Sequence, residues 1–428
     1  MDLHSANCFV PLRDPLPAGD GFKQLSERVF FGIKKGLDNT HKILERLGRP
    51  DRNYPIVLIG GTNGKGSTGS ILAHACRASG LKVGWTTSPH LRHPRERIWI
   101  DGDLVNVENM DQTLNKIFNE EKDLAISLTY FEAIIAAALQ SFSERQVDLA
   151  FVEVGMGGRW DATNATDPIL SVITNVGLDH QQYLGDTKEL ICREKLAIGR
   201  SQRPLVLGPT LSRAWVEPLL ECVPSVYTTS KLDVPVDILW DYSIVDGKRF
   251  GLAGRHQLDN LSCALKVLDC LRGLGFNLPA HECQKSLAYL HWPGRLSSLP
   301  GFENVWIDGA HNPEGLEALK AHCSMSNKTP HLYFGVMKDK DLTTMSKILK
   351  AFPKKSLTLI QGTAERFATL EALGNLLKGI SVDYTNLSSW NDLEGRLKSH
   401  QGEPVLIMGS LYLVGEILEH FNLIPNSE

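Results

Sequence analysis

The stretch Pro55-Ile-Val-Leu-Ile-Gly-Gly-Thr-Asn-Gly-Lys-Gly-Ser-Thr68 gathers residue types suited to holding a phosphate. Ile56 to Ile59 read as an apolar strand and Gly60 to Gly66 as a glycine-rich loop. A helix is expected to open at Ser67, with Ile71, Leu72 and Ala75 spaced for burial. Glycines let consecutive backbone N–H groups turn toward one anion. The helix N-terminus adds a partial positive charge and Lys65 a full one. Ser67 is placed to offer a hydroxyl to Mg²⁺. The strict pattern G-x-x-x-x-G-K-[ST] is not met, because Gly66 stands between Lys65 and Ser67 and position 59 is isoleucine. Strand, loop and helix nonetheless come in the required order, which favours a nucleotide site over a plain strand–helix turn.

Other polar residues stand where a bland core would be apolar. Glu153 ends the run Leu149-Ala-Phe-Val-Glu153-Val and precedes Gly155-Met-Gly-Gly158. An acid at the carboxyl end of a parallel strand beside a phosphate loop suits a Mg²⁺ ligand or a base; a solvated strand-end carboxylate is the plainer alternative. His180 closes Val172-Ile-Thr-Asn-Val-Gly-Leu-Asp-His180. With Glu153 it flanks one topological switch point, which favours a metal role over a structural imidazole. Ser88, in Thr86-Thr-Ser-Pro-His-Leu91, follows the next strand, although Ser-Pro alone is simply a turn. Asp308-Gly-Ala-His-Asn-Pro313 brings an acid, an imidazole and an amide together, and Pro313 suits a first helical turn. Gly254-Arg-His-Gln-Leu-Asp-Asn260 and Gly409-Ser-Leu-Tyr412 also precede helices. Capping explains part of each cluster, but not the His that recurs in two of them.

These groups need a scaffold of parallel strands. Apolar strand runs at 56–60, 82–87, 148–154, 169–176 and 204–207 alternate with helical periodicity at 67–79, 107–121, 130–144 and 187–199. Between about 228 and 253 the pattern weakens into short polar strands, followed by a helix at 259–273 and the punctuated stretch Trp292-Pro-Gly-Arg295. Alternation then restarts, with strands at 304–307, 331–336, 356–361, 381–384 and 404–408 and helices at 313–322, 341–351, 368–378, 389–399 and 412–420. The expected fold is α/β. An N-terminal phosphate-loop domain spans 1–292, a linker 293–300, and a smaller Rossmann-like α/β domain 301–428. Two such domains leave a cleft for a site that joins two substrates.

Composition narrows the partners. The 428 residues, 42% hydrophobic and 22% charged, suit a globular protein of two or three domains. A net charge of −4 gives no electrostatic case for nucleic acid or an anionic membrane. No apolar run reaches the roughly 20 residues that span a bilayer, and residues 1–19 carry acids and prolines where a secretory signal would be apolar. Eight cysteines without C-x-x-C pairs read as reduced, mostly buried thiols of a cytoplasmic protein.

The motifs together resemble the folylpolyglutamate synthase/dihydrofolate synthase family, within the Mur ligase superfamily. Those that carry the resemblance are Gly61-Thr-Asn-Gly-Lys-Gly-Ser67, Thr87-Ser-Pro-His-Leu91 with Glu96-Arg-Ile98, Thr129-Tyr-Phe-Glu132 and Glu153-Val-Gly-Met-Gly-Gly-Arg-Trp-Asp-Ala-Thr-Asn164. They continue with Gly177-Leu-Asp-His180, Arg193-Glu-Lys195, Pro293-Gly-Arg295, Asp308-Gly-Ala-His-Asn-Pro313, Asp339-Lys-Asp341 and Gly409-Ser-Leu411. Running in the family's order from about residue 30 to 420, they cover nearly the whole chain. The resemblance implies an ATP-dependent ligase that makes an acyl phosphate and lets the amino group of L-glutamate displace the phosphate. It implies that Thr62, Asn63, Gly64, Lys65, Gly66 and Ser67 hold phosphates and that Asn260, Arg295 and Asp308 reach ATP. Ser67, Ser88, Glu153, His180 and Lys195 would serve two Mg²⁺ ions, Lys195 as a carbamate. Lys65, Glu153, His180, Lys195 and His311 are the catalytic candidates. Thr129, Tyr130, Phe131, Glu132, Trp160, Asp161 and Ala162 would line the pterin side, Lys34, Lys35, Gly36 and Leu37 would close over it, and Ser410 would complete the substrate site.

The chain departs from the family's pattern twice. Glu194-Lys195 is followed by Leu196-Ala-Ile198, where the family usually has Ala-Gly-Ile, which questions tight packing near Lys195. Trp160 replaces a usual leucine, enlarging a pocket wall or supplying a stacking surface. The expected enzyme is a bifunctional ligase of the bacterial type, working as a monomer on dihydropteroate and reduced folates. A monofunctional folylpolyglutamate synthase and, more distantly, a muramoyl-peptide ligase are the alternatives.

Overall fold

Apolar strands without alternation must be covered on both faces, and the strands that carry the site are. In chain order, Ile56–Gly60 (β1) leads into Lys65–Ala78 (α1) and Val83–Thr86 (β2); Tyr130–Glu144 (α2) precedes Leu149–Glu153 (β3), and Leu170–Ile173 (β4) precedes Lys188–Leu196 (α3). Every residue of these four strands is buried in the computed structural model, which describes residues 9–11, 19–28, 36–220, 225–381, 383–386 and 390–425. Lys34 and Lys35 lie outside the described residues.

An eight-stranded sheet runs in the order 103–104, 98–100, β2, β3, β1, β4, 205–207, 226–228. It is parallel from β2 onward, with an antiparallel hairpin at one edge. β1 is central, so the chain leaves it toward β2 on one side and later returns to β4 on the other. The carboxyl ends of β1, β3 and β4 therefore open onto one crevice. Val57 and Ile59 share a core with Ile71, Leu72 and Ala75 of α1 and with Leu261, Ala264 and Leu268 of the helix Arg255–Gly273 (α4). Ile56 and Leu58 share the opposite core with Ala133, Ile134 and Ala137 of α2.

Several boundaries differ from the sequence expectation, three of them beside the site. α1 opens at Lys65 rather than Ser67, because Gly64 takes a left-handed conformation (φ 82°) that turns the chain early. β4 stops at Ile173 rather than 176, because Thr174 Oγ1 donates to Asn63 O and Asn175 Oδ1 accepts from Asn63 N in the phosphate loop. α4 begins at Arg255, directly after Gly254, so His256 and Asn260 lie one turn apart on a helix.

A three-stranded antiparallel meander, Val236–Ile238, Ser243–Val245 and Lys248–Phe250, fills the region where the apolar pattern weakens. The second sheet contains Val305–Asp308 (β5), followed by Pro313–Met325 (α5), and Val405–Met408 (β6), followed by Leu411–His420 (α6). Its order is 297–298, β5, β6, 331–334, 356–361, 383–386, parallel except for the first strand. That short edge, Ser297–Ser298, carries no apolar signal and was not expected. Trp292, directly before the stretch read as a linker, is packed: its ring lies 4.5 Å from Trp85 and 6.0 Å from Trp99. Phe9–Pro11 pairs antiparallel with Leu423–Pro425, which joins the two ends of the chain. The six described cysteines are free and five are buried. Among the described residues, no helix is long and apolar enough to cross a membrane.

Candidate active site

The phosphate loop is braced from β4. Thr174 Oγ1 donates to Asn63 O at 2.6 Å, and Asn175 Oδ1 accepts from the amides of Thr62 (3.1 Å) and Asn63 (2.8 Å). The amides directed to Asn175 are thus those of Thr62 and Asn63, while Lys65, Gly66 and Ser67 form the first turn of α1. Lys65 Nζ donates to Gly61 O (3.0 Å) and Thr62 O (3.2 Å). Lys195 Nζ, reaching over from α3, donates to the same Gly61 O at 3.0 Å. Two ammonium groups on one carbonyl repel each other. Burial, with Lys65 adding to it, brings the Lys195 pKa down to about 7.

Glu153 ends β3 beside this loop, 3% exposed. One oxygen accepts from Thr87 Oγ1 at 2.8 Å, and the amide of Ser88 also donates to the carboxylate. Burial raises its pKa, against the pull of Lys65, the Thr87 hydrogen bond and Arg295. His180 has left-handed backbone (φ 54°), uncommon outside glycine and typical of constrained sites. Burial brings its pKa to about 4, so at neutral pH it offers a lone pair.

A cavity of about 640 Å³ opens beside Ser88 and His180. Thr129 to Glu132, Trp160 to Ala162 and Gly36 line it, together with His311 and Ser410 from the second sheet. Several of these residues also have structural duties. Thr129 and Glu132 form a capping box on α2, at 3.2 and 2.7 Å, and Glu132 also accepts from Thr40. Asp161 organises its own loop through Met156 N, Thr163 N and Thr163 Oγ1. Ser410 caps α6 by accepting from Tyr412 N at 3.1 Å. Leu37 precedes the helix Asp38–Arg46. Trp160 carries no such duty and is 46% exposed at the cavity wall.

Asn260, Arg295 and Asp308 do not line this cavity. Any side chain at Gly64 would collide with Asn260 Oδ1. Arg295 lines a smaller cavity with Gly66, Ser88 and Trp292. Asp308 is buried and accepts from the amides of Leu296 (2.9 Å) and Ala310 (2.7 Å); burial raises its pKa and Arg295 opposes the rise. Ser67 is buried in the first turn of α1.

Sequence reading missed several residues. Asp179 links the two sheets: its carboxylate accepts from Lys340 Nζ (3.0 Å) and Asn312 Nδ2 (3.2 Å), with His311 Nε2 at 3.8 Å. Burial acts to raise its pKa, but His180, Lys340 and His311 together hold it well below the ordinary carboxylate range. His311 Nδ1 donates to Gly309 O at 2.8 Å, and burial brings its pKa to about 4. A carbonyl only accepts, so the neutral ring carries its proton on Nδ1 and leaves Nε2 as the acceptor. Lys338, Arg366, Tyr412 and Tyr183 also line the cavity. Lys340, between two aspartates in a quoted motif, had a visible signal; Arg366 and Tyr183 had none.

A phosphate loop at a switch point, bonded through Asn63 to Asn312 beside a second parallel sheet, suits a ligase of the Mur type. The Mur ligase middle domain model matches residues 59–207. The dihydrofolate synthase/folylpolyglutamate synthase of Bacillus subtilis (strain 168) is 30% identical over 420 residues, covering 91% of this chain and 96% of that protein. The Mycobacterium tuberculosis folylpolyglutamate synthase complexed with ADP superposes with a TM-score of 0.84 at 28% identity, covering 94% of this chain and 98% of that one. The E. coli FolC in complex with DHPP and ADP gives 0.78 at 27%, covering 94% and 96%. The chain spans about half (48%) of a Haloferax volcanii relative, a probable bifunctional folylpolyglutamate synthase/dihydropteroate synthase 30% identical over 90% of this chain. The chain belongs to the dihydrofolate synthase/folylpolyglutamate synthase family.

Proposed function

We propose that this chain is an ATP-dependent amide ligase. It adds L-glutamate to dihydropteroate, giving dihydrofolate, and to reduced folates, extending a polyglutamate tail, with release of ADP and phosphate. The observation that carries this reading is the meeting of Lys65, Lys195 and Glu153 at a phosphate loop, beside a large cavity walled by both sheets.

A carboxylate is a poor acyl donor, and taking the γ-phosphoryl group gives it a leaving group that the amine of glutamate can displace. Two anions must first be brought together, which is work for positioning and charge. In this reading Thr62 to Ser67 cradle the phosphates, Lys65 neutralises them, and Asn260, Arg295 and Asp308 hold the rest of the nucleotide. Thr129 to Glu132 and Trp160 to Ala162 seat the pterin, with Gly36 beside them and Ser410 facing the incoming glutamate. His311, unprotonated at Nε2, receives the proton that the attacking ammonium gives up.

Magnesium fits the residues present. Glu153 is a buried carboxylate beside Gly66, Ser88 adds an oxygen donor next to it, and His180 is a neutral imidazole lining the same cavity. Ser67, Ser88, Glu153, His180 and a carbamylated Lys195 would hold two ions, whose chemistry is to neutralise phosphate oxygens. The low pKa of Lys195 supports the carbamate, since only a neutral amine takes up CO₂. The same reading assigns 1–292 to the nucleotide-binding unit, 293–300 to the connection and 301–428 to the second unit. It has one chain acting as a cytoplasmic monomer, because both sheets of a single chain build the site.

The test is ADP release by the pure protein with ATP, L-glutamate and a panel of acceptors. Turnover is expected with dihydropteroate and with tetrahydrofolate. Turnover with tetrahydrofolate alone would make the enzyme monofunctional, and turnover only with a muramoyl peptide would overturn the reading.

A further inference from the structure

The acceptor wall and the Lys195 helix belong to different elements, yet the proposed reaction needs them at a fixed spacing. One side chain ties them together. Arg200 follows α3, and its Nη1 donates to the carbonyls of Ala197 (3.5 Å), Ile198 (3.1 Å) and Gly199 (3.3 Å). Its Nη2 donates to Asn164 O (3.0 Å), Asn164 Oδ1 (2.9 Å) and Thr166 O (2.9 Å). These are the carbonyls that close the loop carrying Trp160, Asp161 and Ala162. Burial lowers the Arg200 pKa, and Asp167 opposes the shift from nearby. The guanidinium stays charged regardless and supplies a planar fork that a single ammonium cannot imitate.

The other end of the same loop is also fixed to α3. Arg159 N donates to Glu194 O at 3.0 Å, and Arg159 Nε to Glu194 Oε1 at 3.0 Å. Asn164 Nδ2 completes the joint through Arg159 O (3.1 Å) and Ala197 O (3.4 Å). The acceptor wall is thus hung from α3 at one end and from the turn directly after it at the other, and Lys195 on that helix touches the phosphate loop.

We infer that Arg200 is a positioning residue for the ligation: it sets the distance between the acceptor's carboxylate and the γ-phosphate by locking loop 159–166 to the Lys195 helix. This rests on the ligase reading above. A cap with only a structural role would change stability and leave the turnover of folded enzyme alone.

The experiment uses the full chain with ATP, L-glutamate and dihydropteroate or tetrahydrofolate. Wild type comes first: if it makes no amide with either acceptor, the ligase reading itself fails. With wild type active, Arg200→Ala is expected to lower kcat about 10²-fold, the scale of an ångström's misplacement. ADP affinity by calorimetry should change by less than about twofold, since the phosphate loop keeps its own bracing. Millimolar methylguanidine should restore kcat in Arg200→Ala and have no such effect on Arg200→Lys. Should Arg200→Ala fail to fold, Asn164→Ala carries the test, with kcat down about tenfold or more at an unchanged melting temperature. Wild-type kcat in whichever variant folds would overturn the inference, as would a loss that methylguanidine does not relieve in folded Arg200→Ala.

Discussion

Lys65 and Lys195 share the carbonyl of Gly61, an arrangement two full positive charges resist. The outcome expected is a modified Lys195. Its pKa of about 7 means the amine is neutral above pH 7 and protonated below it, so a carbamate should form on the alkaline side and be lost on acidification. With ¹³C-bicarbonate, a carbamate carbon resonance is expected at pH 8 and not at pH 6. Lys195→Ala should be nearly inactive and regain turnover with added acetate or formate; absence of the resonance at both pH values would rule the modification out. Glu153→Gln keeps the volume and hydrogen-bonding reach of the side chain but removes its charge. Turnover should fall by about 10²-fold or more with the melting temperature unchanged, and near-normal activity would reduce Glu153 to a strand-end acid. Glu153 was legible in the sequence because a lone acid ends an apolar strand. Lys195 had no such local signal and was reached only through the family resemblance; the fold shows that lysine buried while Glu194 pairs with Arg159. Arg366 and Tyr183 were invisible for a related reason, since nothing local marks a side chain whose role depends on a cavity between distant segments.

At the scale of elements, the loss of the usual glycine after Glu194-Lys195 put close packing around α3 in question. The close approach comes from the opposite side. At Gly158 an added Cβ would lie 2.6 Å from Glu194 O and 2.9 Å from Lys195 O, so this position cannot carry a side chain without moving α3. Gly158→Ala should therefore cost about 1–3 kcal/mol in chemical unfolding, as overpacking does, and lower kcat by displacing Lys195. Unchanged stability would show that the helix yields freely. Strand positions were legible because burial on both faces leaves uninterrupted apolar runs. Ends were less so: the phosphate-loop helix starts early at a left-handed glycine, and β4 stops early because Asn175 bonds across to Thr62 and Asn63. The bonds of Asn175 join segments more than a hundred residues apart, which periodicity does not record.

Across the whole molecule, the two sheets meet at Asp179, where Lys340, Asn312 and His311 converge on one carboxylate. Both members of the Asp179–Lys340 pair are about nine-tenths buried, with side chains 10% and 11% exposed. Removing one partner from such a pair typically costs about 3–5 kcal/mol. Lys340→Met is thus expected to loosen the second sheet from the first, raising the radius of gyration seen by small-angle scattering and lowering kcat/KM together; an unchanged radius with normal kcat/KM would deny the pair that role. The alternation of strands and helices made both α/β layers legible, while the way they dock is set by charges whose partners lie far apart in sequence. What the docked sheets are proposed to accomplish is the activation of a carboxylate by phosphoryl transfer. The direct measurement is to label the carboxylate oxygens of dihydropteroate with ¹⁸O and follow them during turnover with ATP and L-glutamate. One labelled oxygen should appear in inorganic phosphate for each amide formed; amide formation with unlabelled phosphate, or no amide at all, would contradict the account.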